Sequence, residues 1–193
     1  VTHTAIDTVG GGSAAKLIYL NTAGEEDTSS DFGNAFPGAT YTATSTTGVS
    51  GRVVIMYSWH DVPGLQKFGG YTGVASTKFV YLGFRPAMLA IKFIDGTDIG
   101  SHGGWKLIDD KRDPYISGKV AKKVEWNTDG AQNNGSTTST SEGIVDFDAT
   151  GFIIRDNHSP FNTAGRAYAY CAWSNGATNP LYGAQASAML PRA

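Results

Sequence analysis

Short apolar runs separated by glycine-rich turns are the feature that most restricts the fold of this 193-residue chain. Runs such as 78–83, 88–94 and 166–173 are rich in aromatic and β-branched residues, which favour strands. No segment carries a sustained apolar stripe at the helical period. Only 17% of the residues are charged, against about 25% in an average soluble domain, and 25 are glycine. We therefore expect an all-β protein, a β-sandwich of the jelly-roll or concanavalin-like type.

An incomplete internal repeat sets the expected organisation. Residues 16–59 and 122–173 share four sequence markers in the same order, namely Asn-Thr-x-Gly, Asp-Phe, Gly-Arg and a closing Trp. Residues 61–121 have no counterpart upstream of residue 16, so the first copy lacks its front half. We predict a partial repeat over 1–60, the back half of a preceding β unit, then a complete β-sandwich unit over 61–176 and a C-terminal tail over 177–193.

A half unit cannot cover its own apolar face, so it must pack on the complete unit or on a neighbouring chain. The two strands expected at 52–59 and 166–173 are apolar on both faces, which is typical of a strand buried on both sides or placed at an interface. We therefore expect a homo-oligomer. The candidate interface residues are Val53, Ile55, Tyr57, Trp59, Tyr168 and Tyr170.

Charge and composition argue against several partners. The formal net charge of −2 argues against general electrostatic binding of nucleic acid. No apolar run approaches the roughly 20 residues of a membrane span, and the first residues carry no signal-peptide pattern. The four histidines show no metal-ligand spacing, so neither a metal nor a cofactor is expected. The single cysteine, Cys171, lies in an apolar run and is interpreted as a packed thiol.

A loop with two carboxylates contains the first candidate ligand-binding residues, Asp95, Asp98 and His102. Carboxylate oxygens suit Ca²⁺, but Asp95 followed by glycine is also a common turn. We favour the turn, and we expect the acids at 109–113 to neutralise Lys111 and Arg112.

Exposed aromatic residues would suit a sugar-binding face, and Tyr71 and Trp105 are the candidates for it. We favour core packing over sugar binding for them, because aromatic residues in a β-sandwich are mostly buried.

Catalysis is not indicated by any motif. Glycoside hydrolysis needs two carboxylates at a set separation, and here the carboxylates lie in loops. His60 precedes an acid, but no Gly-x-Ser-x-Gly motif supplies a nucleophile. We therefore assign no catalytic residue and expect a protein that is not an enzyme, with a polysaccharide-active enzyme as the least favoured alternative.

Five motifs follow one another across residues 67–173: a Tyr-Thr-Gly turn at 71–73, a Gly-Phe-Arg-Pro bend at 83–86, an Asp-x-Arg loop at 110–112, an Asp-Phe-x-x-x-Gly-Phe hairpin at 146–152 and a final aromatic strand. This ordered set resembles a repeated β-domain of uncharacterised virion structural and tail-associated proteins from tailed, often marine, bacteriophages. The resemblance implies a structural or attachment module on the surface of a phage particle, with neighbouring virion proteins as partners. A lectin-like module that binds host glycan is the alternative.

Overall fold

The computed structural model describes residues 15–18, 27–29, 59–95, 103–112, 122–126, 133–134, 145–155 and 159–176. Within these ranges the chain forms eleven strands and one short helix: β1 (Ala15–Leu17), β2 (Asp27–Ser29), β3 (Gln66–Thr72), β4 (Lys78–Tyr81), β5 (Met88–Phe93), β6 (Lys106–Asp109), β7 (Lys122–Glu125), β8 (Asn133–Asn134), β9 (Val145–Asp148), β10 (Gly151–Ile154), α1 (Ser159–Asn162) and β11 (Ala167–Trp173). The predicted all-β class is confirmed. The jelly-roll or concanavalin-like assignment stays a prediction.

Two antiparallel sheets make up most of the described structure. The larger has the strand order β3-β11-β5-β6-β7-β8, and the smaller has the order β4-β10-β9. The bend at 83–86 carries the chain from β4 in the smaller sheet to β5 in the larger one. A separate hairpin joins β1 to β2.

The strand predicted to be apolar on both faces, β11, lies inside the larger sheet between β3 and β5. Tyr168 is directly opposite Tyr71 on one side and Phe93 on the other. Tyr168 and Tyr170 are both buried within their own chain, so neither is available to an interface as proposed from the sequence. The reason is that paired strands on both sides, and apolar clusters on both faces, cover β11.

The main apolar cluster draws side chains from both sheets. Leu89, Ile91 and Tyr168 come from the larger sheet, while Phe147 and Phe152 come from the smaller one. The smaller sheet therefore buries one face against the larger sheet and leaves its opposite face as an outer surface.

A second apolar cluster lies on the opposite face of the larger sheet, because alternate side chains of a strand point to opposite faces. It consists of Ile18, Phe68, Ala90, Ile94, Trp105, Leu107, Ala169 and Cys171. Cys171 is a buried free thiol, as expected, and burial raises its pKa to about 12.

The hairpins of the two repeat copies share one register. Lys16 pairs with Thr28 in the first hairpin, and Lys122 pairs with Asn134 in the β7–β8 hairpin, so the paired residues are twelve apart in both. Lys16 and Lys122 are also the residues that the sequence repeat aligns. Two residues after these lysines, Ile18 and Val124 both pack in the second cluster. The partial repeat therefore contributes to the apolar face of the larger sheet, while the segment boundaries at 60 and 176 stay predictions.

Candidate binding surface

Strand β4 places two aromatic side chains on the outer face of the smaller sheet. Val80 points inward and joins the main cluster. Its neighbours Phe79 and Tyr81 point the other way and are 45% and 62% exposed. Single exposed apolar residues are common on proteins, but a contiguous group of them often marks a binding surface.

The register of the smaller sheet shows what surrounds the two rings. One row across the sheet runs from Phe79 through Ile153 to Asp146, and the next row runs from Tyr81 through Gly151 to Asp148. Directly opposed side chains lie about 5 Å apart, so each row is a set of neighbours. We call these six residues the β4 aromatic face: it is apolar along β4 and β10 and acidic along β9.

Glycines lie beside both rings. A Cβ atom at Gly151 would be 3.1 Å from Cε2 and Cζ of Phe79 and would overlap the carbonyl oxygen of Val80. Gly83 has a φ of +85°, which favours glycine, and a Cβ there would be 3.7 Å from the hydroxyl of Tyr81. One side of the Phe79 ring thus covers Gly151, while Phe79 itself stays partly exposed to solvent.

Lys67 of β3 holds the end of β4. Its Nζ donates to the carbonyl oxygen of Tyr81 at 3.1 Å and lies 5.6 Å from the centroid of the Tyr81 ring. Among the described strands β4 lies at the edge of its sheet, so this lysine occupies an acceptor that another strand would otherwise use.

The acidic side of the face is partly neutralised within the chain. Arg155 Nε donates to Oδ2 of Asp146 at 2.5 Å, and the Asp146 side chain is only 8% exposed. Its Oδ1 is buried and has no hydrogen-bond partner. Asp148 accepts hydrogen bonds at Oδ1 from the backbone N–H and the hydroxyl of Thr150, an arrangement that closes the β9–β10 turn.

Trp105 and Tyr71, the aromatic ligand candidates, do not form an exposed sugar-binding face. Trp105 is 1% exposed because it packs in the second cluster, with Trp126 at a ring separation of 6.2 Å. Core packing, the favoured interpretation, is therefore confirmed for Trp105, and the exposed position that the lectin-like alternative requires is excluded. Tyr71 is half-buried: its ring stacks on Tyr168 at 5.0 Å and its hydroxyl donates to the carbonyl oxygen of Phe161 at 2.7 Å. Burial, with a smaller effect of Tyr168, raises the pKa of Tyr71 well above its usual range.

Several of the acidic residues that the structure describes are paired with basic ones. Asp95 is exposed and lies 4.0 Å from Arg166. Asp109 pairs with Arg112 at 2.8 Å, and Asp110 lies 3.7 Å from Lys111, so the predicted neutralisation of these two basic residues is confirmed. No group of three potential metal ligands occurs among the described residues.

Several sequence candidates fall outside the described residues, namely Asp98, His102, Val53, Ile55 and Tyr57. Of the interface candidates in the partial repeat, Trp59 is described, and it is 58% exposed. In the described part of the chain, no helix has the length and apolar character needed to cross a membrane.

Sequence reasoning missed Phe79 and Tyr81 as binding candidates, although it identified their strand. The run 78–83 is apolar at nearly every position, so it shows no alternation that would tell the inner face from the outer one. The alternation of exposed and buried residues within β4 becomes visible only once β4 is paired with β10.

Comparison with known proteins gives one family. A family model described as a domain of unknown function (DUF7483) matches residues 1–177 and so spans both hairpins and both sheets. No curated protein and no solved structure matches the chain.

Proposed function

The chain belongs to the DUF7483 family, a domain of unknown function, and from this starting point we propose that it is a structural and attachment protein of a bacteriophage particle. In this proposal it is displayed on the particle surface, associates with further copies and with neighbouring virion proteins, and acts by binding rather than by catalysis. The phage assignment rests on the five ordered motifs at 67–173. The binding role rests on the geometry of the smaller sheet.

The β4 aromatic face is the observation that carries the binding role. A fully buried aromatic side chain covers about 150–250 Å², so the two half-exposed rings offer roughly 200 Å² of surface. Removing that area from water is worth about 5 kcal/mol before the entropic costs of association. Gly151 and Gly83 leave room for the two rings, and Lys67 is bonded to the end of β4, so the surface is already formed in the free chain.

Self-association is supported by a different part of the molecule. Trp59 is the closing residue of the partial repeat and is more than half exposed, and Leu65 is also exposed just before β3. Trp59 precedes the bridge between Val62 and Gln66, and Leu65 lies in the turn that this bridge closes. We assign the surface around Trp59 and Leu65 to contact with a second copy of the chain.

Light scattering of the full chain tests the association. The wild type should form oligomers at micromolar concentration, and Trp59→Ser should lower the mass toward that of a monomer. Trp126→Ser is the matched control, because Trp126 is 42% exposed but follows β7 of the complete unit instead of closing the partial repeat. A wild-type chain that is monomeric at all concentrations would contradict self-association.

Labelling of intact particles tests the location. An antibody raised against the chain should decorate purified particles of the phage whose genome encodes it. Particles that contain none of the protein would refute the structural role.

A lectin-like function is the second candidate, and the exposed pair Phe79 and Tyr81 favours it. The residues first considered for sugar binding, Trp105 and Tyr71, pack inside the chain. A sugar would therefore contact β4 instead.

A further inference from the structure

We propose that the β4 aromatic face binds a neutral polysaccharide whose sugar rings stack on Phe79 and Tyr81. This inference rests on the proposed attachment function and gives it a ligand class. It assigns the recognition to Phe79 and Tyr81, which lie outside both apolar clusters.

The spacing of the two rings fits a chain of sugars. Phe79 and Tyr81 are two residues apart on one strand, so their Cβ atoms are separated by about 7 Å along β4. This is comparable with the length of a single pyranose unit, so an extended chain that follows β4 would place neighbouring units over the two rings. The C–H groups on the flat face of a pyranose make the kind of contact that an aromatic ring favours.

Sugar hydroxyls need both donors and acceptors at the edge of such a platform. Lys67 of β3, beside Tyr81, supplies donors, and Asp148 in the second row of the face supplies an acceptor. The Lys67 ammonium uses one of its three donors on Tyr81 and lies over that ring. At the other end of the row, Asp148 uses Oδ1 for Thr150, and its Oδ2 is able to accept a hydroxyl proton. The row from Tyr81 to Asp148 crosses three strands, a distance of about 10 Å.

The charges on the face favour a neutral ligand over an anionic one. Arg155 is already paired with Asp146. Lys67 beside Tyr81 and Asp148 at the far end of the row carry one charge of each sign. The face therefore carries no excess of basic side chains to attract uronic or sialic acids.

The area of the face argues against a protein as the occupant. A stable protein–protein interface buries about 800 Å² on each partner, several times the area that the two rings offer. Strand addition is also disfavoured, because Lys67 occupies the carbonyl oxygen of Tyr81 at this sheet edge. A short stretch of polysaccharide needs only a small platform with a few polar partners.

Binding of the full chain to a printed array of neutral and acidic glycans, followed by titration calorimetry on the best neutral hit, tests the proposal. We expect neutral glycans to bind, Tyr81→Ala and Phe79→Ala each to weaken binding at least tenfold, and Trp126→Ala to leave it unchanged. Tyr81→Phe should retain binding because it keeps the ring. Tyr81→Leu, which keeps an apolar side chain in place of the ring, replaces Tyr81→Ala if the alanine variant fails to fold.

Three results would overturn the proposal: no glycan bound by the folded chain, binding restricted to acidic glycans, or equal affinity in wild type and Tyr81→Leu. A fall in oligomer mass on Tyr81→Leu would also overturn it, because it would give the face to a second copy. If the glycan experiments fail while the antibody still decorates particles, this inference fails and the structural role on the particle stands.

Discussion

Replacing Asn162 by alanine should destabilise the connection that leads into β4. Asn162 is fully buried at the end of α1. Its Oδ1 accepts from the backbone N–H of Val74 at 2.9 Å, and its Nδ2 donates to the carbonyl oxygen of Ser76 at 2.5 Å. One side chain thus satisfies two backbone groups in the segment between β3 and β4.

The size of the effect follows from the two hydrogen bonds. Each contributes about 0.5–1.5 kcal/mol net, and a buried group left without a partner costs about 1–3 kcal/mol. Val74 and Ser76 are exposed residues, so water replaces part of what is lost and the lower end of each range applies. We expect Asn162→Ala to lower the free energy of unfolding by about 2–3 kcal/mol, which corresponds to roughly 5–10 °C in Tm for a domain of this size.

Urea unfolding of the full chain, followed by tryptophan fluorescence, measures this change. Ser76→Ala is the control: the interaction uses the Ser76 backbone, so this variant should differ from the wild type by less than about 0.5 kcal/mol. A loss of under 0.5 kcal/mol in Asn162→Ala would refute the reasoning, as would an equal loss in both variants.

Three further changes test other parts of the structure. Gly151→Ala should lower the free energy of unfolding by at least about 2 kcal/mol, because its Cβ would overlap the Val80 carbonyl and press on the Phe79 ring; a thermal melt unchanged from wild type would contradict this. Burial, with a smaller contribution from Lys106, lowers the pKa of Lys92 from 10.5 to about 8. Between these two pH values the unfolded chain binds the Lys92 proton more tightly than the folded chain does. The free energy of unfolding of the wild type should therefore rise as pH rises from 8 toward 10.5, by roughly 3 kcal/mol at most. Urea unfolding at pH 7 to 10 should show a flatter profile for Lys92→Met, and parallel profiles would exclude the effect. The buried Cys171 thiol, with its pKa raised to about 12, should resist an aromatic disulfide reagent at pH 8 until the chain is unfolded; fast labelling of the native chain would show that it is accessible.

The strands could be predicted from the sequence because their residue types are strongly biased. The runs expected at 78–83, 88–94 and 166–173 correspond to β4, β5 and β11 within one or two residues at most ends. The repeat also has a physical counterpart, since aligned lysines begin hairpins with the same register. Local signals of this kind depend on residues close in the chain, which is why a single sequence carries them.

The faces of the strands could not be predicted. β4 and β11 are apolar at almost every position, so only their pairing partners distinguish an inner side chain from an outer one. Core packing of Trp105 could be predicted from its residue type, but the second apolar cluster that buries it, on the far face of the larger sheet, could not. The Tyr-Thr-Gly motif predicts a turn at Tyr71, yet Tyr71 lies on β3 and stacks on Tyr168, which is 97 positions later.

The proposed binding role depends on Phe79 and Tyr81 forming the surface through which the chain binds its target. Hydroxyl-radical footprinting measures the solvent exposure of these two side chains most directly. In the free chain both residues should be oxidised rapidly while the buried Tyr170 is spared, and bound neutral glycan should slow oxidation at both without changing Trp126. Unchanged oxidation of Phe79 and Tyr81 in the complex, or protection of both in the free chain, would contradict binding through this surface.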